Sequence, residues 1–381
     1  MESLNKVIVA SDSFKGSLAS WEVAEAVSEA VRELFPKCSV VGLSVADGGE
    51  GTTEALCKAF CGQMQTVRVK GPLGDPVEAQ YCLADYKGNR MAVIEMSQAS
   101  GLYLIPPEKR NPWYTSTYGT GEIIADALDK GCRSFLIGIG GSATNDAGTG
   151  VLSALGWRFL GRDGKELPPI GGSLSDIVSI DEINVRKELK ECTFQVACDV
   201  DTPFCGPDGA APVFAPQKGA DSGMVSRLDK GMQAFADLIK SHTGKDIARM
   251  SGAGAAGGLG GGLHAFLGAT LLRGAEMVLS AIGFDEKAKG ADLVVTGEGR
   301  IDYQTDRGKT PCCVLQHATA LGIPTIAIAG SAATGEEACR LPYQAILPVT
   351  PPTMPLEVAM RRDVAFRNIY LTVKQYLQNY D

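Results

Sequence analysis

Residues 134–150 read SFLIGIGGSATNDAGTG. The apolar start of this stretch predicts a buried strand, and the glycines and small polar residues after it predict a loop. Gly138, Gly140 and Ala143 have the spacing of the looser dinucleotide-binding fingerprint, in which a strand opens onto the N-terminus of a helix. This spacing alone is a weak signal, because a phosphate, a metal ion or a small polar substrate suits such a loop equally well.

The same unit recurs along the chain: a β-branched run, a glycine-rich loop and then an amphipathic helix. Its apolar runs are residues 7–10, 40–46, 92–96, 134–139, 193–198, 293–296 and 324–329. Alternation of this kind predicts an α/β fold with parallel-rich sheets. Because ligands of such sheets bind at the carboxyl ends of the strands, we expect the polar loop residues to share one crevice.

Residues 251–272 form a long stretch with no acidic or basic residue apart from His264. The stretch is long enough to span a bilayer. Its first half is mostly glycine and alanine, however, which give little hydrophobic driving force and a low helix propensity. We therefore expect a glycine-rich loop that leads into a buried helix at residues 263–272.

The composition limits the kind of partner. In 381 residues there are 44 Asp and Glu against 36 Lys and Arg, a net charge of −8. Nucleic acids and anionic membranes attract basic surfaces, so neither is an expected partner. The 11 cysteines include no pair with metal-binding spacing, and free thiols suggest a reducing compartment. The first apolar run is too short for a signal peptide, so we expect a cytoplasmic protein.

The loop at 134–150 is unusually polar for a dinucleotide site. Such a site also needs an acidic residue about twenty positions further on for the ribose, and Asp163 at that place lies in a sequence typical of a turn. Ser142, Thr144, Asn145 and Asp146 better suit a phosphate, a metal or a small polar substrate. The alternative interpretation is that Asn145 or Asp146 only caps the next helix.

A second candidate loop, GEGRIDYQTDRGKT, occupies residues 297–310. It ends like a P-loop, but the glycine that a P-loop needs five positions before its Gly-Lys is missing, which excludes a Walker motif. Lys309 and Arg300 remain candidates for phosphate contacts, and Glu298 and Asp302 for Mg²⁺ or a ribose. A solvated turn is an equally good interpretation of this stretch alone.

Further charged residues follow the other predicted strands. Lys15 stands beside a glycine before a predicted helix, a favourable place for an anion, and Lys218 lies in APQKGAD. Asp47 lies among glycines, where a carboxylate implies a metal, a hydroxyl partner or a base. Asp199 and Asp201 lie two positions apart after a strand, and if the extended geometry continues both point to the same side. Paired carboxylates of this kind suit Mg²⁺ with a nucleotide, or one metal ligand beside one base.

Taken together, the loops resemble those of the bacterial-type glycerate kinases, a two-domain α/β family unrelated to P-loop kinases. The matching stretches are DSFKGSL, VADGGEGT, IEMSQASGL, TSTYGTGE, GIGGSATNDAGTG, ACDVDTPFCGPDGA, APQKGA, GAGAAGGLGGG and TGEGRIDYQT. They extend over nearly the whole chain, and their order and spacing are specific. Two departures, Ser11 where proline is usual and Ala215 where glycine is usual, remove no reactive group.

The resemblance implies transfer of the γ-phosphoryl group of ATP to a hydroxyl of D-glycerate with Mg²⁺, and it favours 2-phosphoglycerate as the product. It also implies a Rossmann-like domain built from residues 1–64 and 287–381, and a second α/β domain inserted at residues 65–286. The active site is expected in the cleft between these domains.

The resemblance and the chemistry of the residue types together predict three groups of site residues. Catalysis is assigned to Asp199, Asp47, Lys15 and Lys218, with Asp199 and Asp47 left as alternative bases. Nucleotide binding is assigned to Ser13, Gly140, Gly141, Ser142, Asn145, Gly297, Glu298, Arg300 and Lys309. Metal binding is assigned to Asp201 and Asp146.

Two other functions compete with a kinase. The glycine spacing at 138–143 motivates an NAD(P)-dependent oxidoreductase of a small hydroxy acid. A non-catalytic carboxylate-binding protein is disfavoured, because the loops carry too many acids. The expected partners are ATP and D-glycerate, without nucleic acid or membrane, and a homodimer is left open.

Overall fold

The computed structural model describes residues 4–14, 16–46, 51–86, 88–303 and 305–380. The strands are β1 (Lys6–Ser11), β2 (Ser39–Ser44), β3 (Gln63–Lys70), β4 (Pro76–Tyr86), β5 (Asn89–Glu95), β6 (Ser134–Gly138), β7 (Arg158–Leu160), β8 (Ser179–Asp181), β9 (Thr193–Ala197), β10 (Thr270–Leu272), β11 (Leu293–Ile301), β12 (Thr325–Ala332) and β13 (Ala345–Pro348).

The helices alternate with these strands. They are α1 (Ser20–Leu34), α2 (Thr52–Ala59), α3 (Ser97–Ser100), α4 (Tyr118–Asp129), α5 (Thr149–Ala154), α6 (Ala210–Phe214), α7 (Ser222–Thr243), α8 (Ala255–Leu267), α9 (Gly274–Ile282), α10 (Phe284–Ala288), α11 (Thr310–Ala320), α12 (Leu356–Ala359) and α13 (Arg362–Gln378).

The chain divides into two compact units. The first, which we call the terminal unit, comprises Met1–Asp47 and Ala275–Asp381, and the second, the middle unit, comprises Gly48–Gly274. Both are α/β structures with parallel-rich sheets, so the predicted fold class is confirmed. The domain boundaries given by the sequence stay a prediction.

The sheet of the terminal unit has the order β13-β12-β11-β1-β2, and all its strand pairs are parallel. The chain steps from β1 to β2 in one direction and from β11 through β12 to β13 in the other. The order therefore reverses between β1 and β11, and in open α/β sheets this switch point is where ligands bind. The amphipathic helices α1 and α13 pack together over one face of the sheet and bury Val27 and Ile369 there.

Hydrogen bonds beyond the strand ladder join β1 to β11. The Gly297 carbonyl accepts from the backbone N–H of Asp12 at 2.9 Å and from the Ser11 hydroxyl at 3.0 Å. The Thr296 hydroxyl donates to the Ala10 carbonyl at 2.7 Å. These buried groups thus find partners across the switch point, as buried polar groups must.

The sheet of the middle unit has the order β10-β9-β6-β5-β4-β3. Strands β3, β4 and β5 form an antiparallel meander, whereas β5, β6, β9 and β10 run parallel. The carboxyl ends of these four strands lie along one edge of the sheet, and the loops that follow β5, β6 and β9 carry the polar residues singled out in the sequence.

The helix predicted at residues 263–272 is wrong in its bounds. Helix α8 already begins at Ala255 within the glycine run and ends at Leu267, and the following Thr270–Leu272 form β10. Ala256, Gly257 and Gly258 have positive φ and kink α8. A methyl group on Gly257 would lie 2.1 Å from the Thr144 carbonyl oxygen, so the glycines serve a close approach of α8 to the loop after β6.

The membrane interpretation weighed for residues 251–272 is also settled for the part of the chain that the structure describes. None of its helices is long and apolar enough to cross a bilayer.

A pair of glycine substitutions tests the close approach of α8. Gly257→Ala is expected to lower the free energy of unfolding by about 2–5 kcal/mol, because it adds a clash to the strain of a left-handed alanine. Gly268→Ala is the matched control: Gly268 has φ +66 and nothing within 4 Å of its added methyl group. It is expected to cost only about 1–2 kcal/mol. Urea denaturation measures both, and equal losses would contradict the packing argument.

Candidate functional site

The terminal unit contains a cavity of about 690 Å³ at the carboxyl ends of β1, β11, β12 and β13. On the side of the switch point its lining is polar. Asp12 and Ser13 come from the loop after β1, Glu298 and Arg300 from β11, and Lys309 from the start of α11. The loop after β13 supplies a mostly apolar lining, with Val349, Pro351 and Met354.

Glu298 is the central carboxylate on the polar side. Its Oε1 accepts a hydrogen bond from the Thr305 hydroxyl at 2.6 Å, and its Oε2 lies 3.3 Å from Lys309 Nζ. Burial raises the pKa of the Glu298 carboxyl, whereas both neighbours lower it. The Lys309 side chain is 40% exposed, so the ion pair presents its cation to solvent. A buried carboxylate next to an accessible ammonium group can bind a phosphate together with its metal ion.

Arg300 is held beside this pair by two carboxylates. Its Nε lies 3.2 Å from Asp302 Oδ2, and its Nη2 lies 3.3 Å from Glu337 Oε2. The backbone N–H of Asp302 in turn donates to the Thr305 hydroxyl at 3.2 Å. A single threonine therefore joins Asp302 and Glu298, and two ion pairs orient the largely exposed Arg300 side chain at the cavity wall.

The loop after β1 provides the opposite part of the polar lining. The Asp12 side chain accepts a hydrogen bond from the Ser13 backbone N–H at 2.7 Å. Ser17 also lines the cavity, and its buried hydroxyl has no hydrogen-bond partner in the described structure. A buried polar atom without a partner is costly, so this hydroxyl is a candidate for a ligand contact.

The middle unit contains a second polar cluster around Lys218. The Lys218 ammonium group donates to the Ser142 hydroxyl at 2.8 Å and to the Thr144 carbonyl at 2.7 Å, and the residue is 1% exposed. Burial lowers the pKa of Lys218 to about 7, although the nearby Asp146 carboxyl acts in the opposite direction. The amine thus changes its protonation state near neutral pH, which a surface lysine does not.

Asp146 organises the loop after β6. Its carboxylate accepts four hydrogen bonds, from the N–H and the hydroxyl of Thr117 and from the N–H groups of Gly148 and Gly150. Burial raises the pKa of the Asp146 carboxyl, while these donors lower it. The contacts join the beginning of α4 to the beginning of α5. These contacts are the kind that the alternative interpretation of Asp146, as a residue that caps the next helix, expects. The assignment of Asp146 as a metal ligand stays a prediction.

Next to Asp146, two buried acceptors lack partners in the described structure, the Asn145 Oδ1 and the Thr144 Oγ1. Among the residues that the structure describes, the Asn145 Nδ2 has only a sulfur contact, to Met232 Sδ at 3.2 Å. Each unsatisfied buried group costs on the order of 1–3 kcal/mol. A polar ligand that supplied hydrogen bonds at this loop would remove that cost, and this marks Asn145 as a binding candidate.

The glycines of the loop do not build a dinucleotide site. The Gly141 carbonyl accepts from the Leu102 N–H at 2.8 Å, and the Ala143 N–H donates to the Ser100 carbonyl at 2.9 Å. The loop therefore pairs with the segment after α3, and α5 begins only at Thr149. The fingerprint requires a helix to start at Ala143, so the structure gives no support to a hydride-transfer site there.

Asp199 and Asp201 both lie in the loop after β9 and are exposed. Asp199 Oδ1 accepts from the Gly274 N–H at 2.8 Å. Asp201 Oδ1 accepts a hydrogen bond from the Ser251 hydroxyl at 3.1 Å, and Asp201 Oδ2 lies 3.9 Å from Arg273 Nη2. Within the described ranges, no group of three or more His, Cys, Asp and Glu side chains is arranged to hold a metal ion.

The structure thus relates most of the predicted residues to two clusters. Ser13, Glu298, Arg300 and Lys309 line the terminal cavity, at whose base Gly297 accepts the hydrogen bonds from β1. Ser142 contacts Lys218, and Gly140, Gly141, Asn145 and Asp146 belong to the same loop. Lys15 and Asp47 lie outside the described residues.

Sequence reasoning missed other residues of these clusters. Asp12 and Ser17 stand in the quoted DSFKGSL stretch, between a predicted strand and a predicted helix, and were not assigned to the site. The apolar lining from residues 349–360 and Asn368 on α13 carried no recognisable pattern. Only the tertiary structure places them at the cavity.

The buried amine of Lys218 makes a prediction about pH. The folded state releases this proton near pH 7, whereas an unfolded lysine keeps it to about pH 10.5. Between these values the unfolded chain binds more protons, so burial destabilises the fold most at low pH and the penalty falls as pH rises. The free energy of unfolding should increase by up to about 1.4 kcal/mol per pH unit from this residue.

Denaturation midpoints between pH 6.5 and 9.5 measure this effect as the difference between the wild type and Lys218→Met. The wild type is expected to gain stability relative to the variant as pH rises. Lys230→Met, which replaces an exposed lysine on α7, is the control and should follow the wild type. Parallel curves for wild type and Lys218→Met would contradict the lowered pKa.

Comparison with known proteins agrees with the kinase resemblance. The sequence profile of the "Glycerate kinase family" matches residues 7–378. The glycerate kinase of Halalkalibacterium halodurans is 46% identical over 372 residues, which cover 96% of this chain and 97% of that protein. The glycerate kinase of Bacillus subtilis is 47% identical, covering 93% and 92% of the two chains.

Two further relatives bear on the subtype and the fold. The glycerate 2-kinase of Escherichia coli is 45% identical over 326 residues, 86% of this chain and 85% of its own. The crystal structure of the provisionally assigned glycerate kinase 2 of Salmonella typhimurium LT2 superposes with a TM-score of 0.87 at 42% identity. The match covers 99% of this chain and 100% of that one. The chain therefore belongs to the glycerate kinase family.

Proposed function

We propose that the protein transfers the γ-phosphoryl group of ATP to the 2-hydroxyl of D-glycerate, assisted by Mg²⁺. Family membership supports glycerate kinase activity, and the Escherichia coli relative, a glycerate 2-kinase, supports the 2-position. The nicotinamide alternative has no such support. The observation that carries the proposal is the Glu298–Lys309 pair in a cavity at the switch point of the terminal sheet.

The nucleotide is proposed to bind in this cavity. Its volume of about 690 Å³ falls in the range of small-molecule sites. Lys309 and Arg300 supply positive charge for the phosphates, and the Ser17 hydroxyl, which has no partner among the described residues, supplies a further polar contact. The apolar lining after β13 suits a purine ring. A molecule with a charged end and a flat apolar end therefore matches both parts of the lining.

The donor set of the cavity fits Mg²⁺. This ion typically takes one or two protein carboxylates and completes its shell with phosphates and water. Asp12 and Glu298, both buried to more than nine-tenths, would hold it at the polar side of the cavity. When bound, Mg²⁺ neutralises charge on the transferring phosphoryl group. Asp201 and Asp146 stay the metal ligands predicted from the sequence, and they are the alternative.

The middle unit is proposed to supply the groups that act on the hydroxy acid. Asp199, exposed after β9 and oriented by the Gly274 N–H, accepts the proton of the reacting hydroxyl, with Asp47 as the alternative base. Lys218 and Asn145 are proposed to bind polar groups of glycerate, and for Asn145 the nucleotide contact predicted from the sequence is the alternative. Phosphoryl transfer needs positioning and charge neutralisation above all, and these are the contributions that such residues make.

The first experiment measures ADP release with ATP, Mg²⁺ and D-glycerate, followed by ³¹P NMR of the product. A 2-phosphate ester couples to one proton on carbon and gives a doublet, whereas a 3-phosphate ester couples to two and gives a triplet. We expect glycerate-dependent release, a doublet and little turnover of L-glycerate. A folded protein without glycerate-dependent turnover would contradict the proposed function.

The same assay tests the base. Asp199→Asn or Asp47→Asn is expected to lower kcat by about 10²–10⁴-fold, the contribution of general acid–base catalysis. Asp208→Asn, a nearby exposed acid, is the control and should keep full activity. If neither variant lowers kcat while circular dichroism is unchanged, the assignment is wrong.

The metal ligands are tested by the Mg²⁺ concentration that gives half of the maximal rate. Glu298→Gln is expected to raise this concentration by about 10–100-fold, since it removes a charged ligand next to the phosphates. Asp201→Asn is measured in parallel. An increase in Asp201→Asn with none in Glu298→Gln would favour the assignment made from the sequence and reject the cavity site.

A further inference from the structure

The apolar part of the terminal cavity includes an amide side chain that the phosphate chemistry does not use. Asn368 lies in the second turn of α13 and faces the cavity together with Ala365, one turn earlier. Ile369 and Val373 of the same helix are fully buried in the core, so the packing of α13 fixes which face it presents to the cavity.

The Asn368 amide is poorly satisfied by the protein. Its Nδ2 donates to the Met354 sulfur at 3.5 Å, and a thioether is a weak acceptor. Its Oδ1 accepts no hydrogen bond from the residues that the structure describes. With the nitrogen directed at Met354, the amide presents an acceptor to whatever occupies the cavity. In this orientation the Asn368 Oδ1 is available to a ligand N–H or O–H group.

This inference rests on the nucleotide site proposed above. We infer that Asn368 makes the enzyme selective for adenine nucleotides, by accepting a hydrogen bond from the 6-amino group of the base. Adenine offers a donor at this position, whereas hypoxanthine and guanine offer a carbonyl oxygen. An oxygen facing Asn368 Oδ1 would leave two acceptors opposed and unpaired, and sites that are built to hydrogen-bond a substrate group discriminate strongly in this way.

The neighbouring residues would strengthen the selection. Val349 is buried, and Pro351, Met354 and Met360 line the same part of the cavity with mostly apolar side chains, of which the Met354 sulfur already accepts from Asn368 Nδ2. Apolar contact of this kind suits the face of any purine and does not distinguish among them. Discrimination at the 6-position therefore falls to Asn368, and binding of the ring falls to its apolar neighbours.

The test compares ATP with ITP, which differ at the 6-position of the base, in steady-state assays with Mg²⁺ and saturating D-glycerate. For the wild type we expect KM for ITP to exceed KM for ATP by about tenfold, the effect of one hydrogen bond near the upper end of the usual range. Asn368→Leu, of similar size, should raise KM for ATP about tenfold and leave KM for ITP nearly unchanged.

Two further variants sharpen the result. Asn368→Asp keeps an acceptor oxygen and is expected to retain the preference for ATP even if both KM values rise. Asn379→Leu changes an exposed asparagine at the end of the same helix, whose Nδ2 donates to the Gln375 carbonyl, and should match the wild type in both KM values. A purely structural role of Asn368 would raise both KM values together and leave their ratio unchanged.

The outcomes separate this inference from the function on which it rests. A wild type that phosphorylates glycerate with ATP and ITP equally well, or an Asn368→Leu variant that keeps the wild-type ratio, overturns the role of Asn368 and leaves the kinase intact. Absence of turnover with either nucleotide overturns the proposed function itself. A ratio that falls to about one in Asn368→Leu and is retained in Asn368→Asp supports the inference.

Discussion

The parallel pairing of β1 with β11 is the constraint on which the terminal unit depends. It joins residues 286 positions apart, and the Ser11 hydroxyl and the Asp12 N–H both donate to the Gly297 carbonyl at its end. Because β2 and β12 continue on opposite sides of this pair, the sheet has its switch point here. The cavity, with Glu298 and Lys309, follows from that order of strands.

The buried polar groups of the protein are of two kinds, those with protein partners and those without. Glu298, Asp146 and Lys218 have protein partners for the charges or dipoles that they bury, and the cost of desolvation appears as shifted pKa values. Ser17, Thr144 and Asn145 have buried side-chain atoms that find no hydrogen-bond partner within the described ranges. A fold that tolerates such atoms loses stability at those places, and natural proteins usually do so where a ligand restores the missing bonds.

The sequence was sufficient for the fold class, because alternating apolar runs and glycine loops appear directly in it. It also pointed to Ser13, Glu298, Arg300 and Lys309, which line the terminal cavity because loops after parallel strands meet at one edge of a sheet, and their assignment to nucleotide binding stays a prediction. The contact between Lys218 and Ser142 spans 76 positions, and no spacing rule predicts it. The bounds of α8 were missed because close packing against Thr144, rather than helix propensity, decides where the glycine run turns helical.

The distance along the chain between β1 and β11 also determines the order in which the protein can fold during synthesis. The middle unit is continuous in sequence, so it can complete its sheet once the ribosome has released its last strand, β10. The segment with β1, α1 and β2 must then wait for β11 to emerge, with the apolar edge of Val7–Val9 unpaired. Such an edge is a template for association with other chains, and long-range pairing is slow. More than two hundred further residues must be translated before β11 can pair with this edge, and association with other chains competes with folding during that interval.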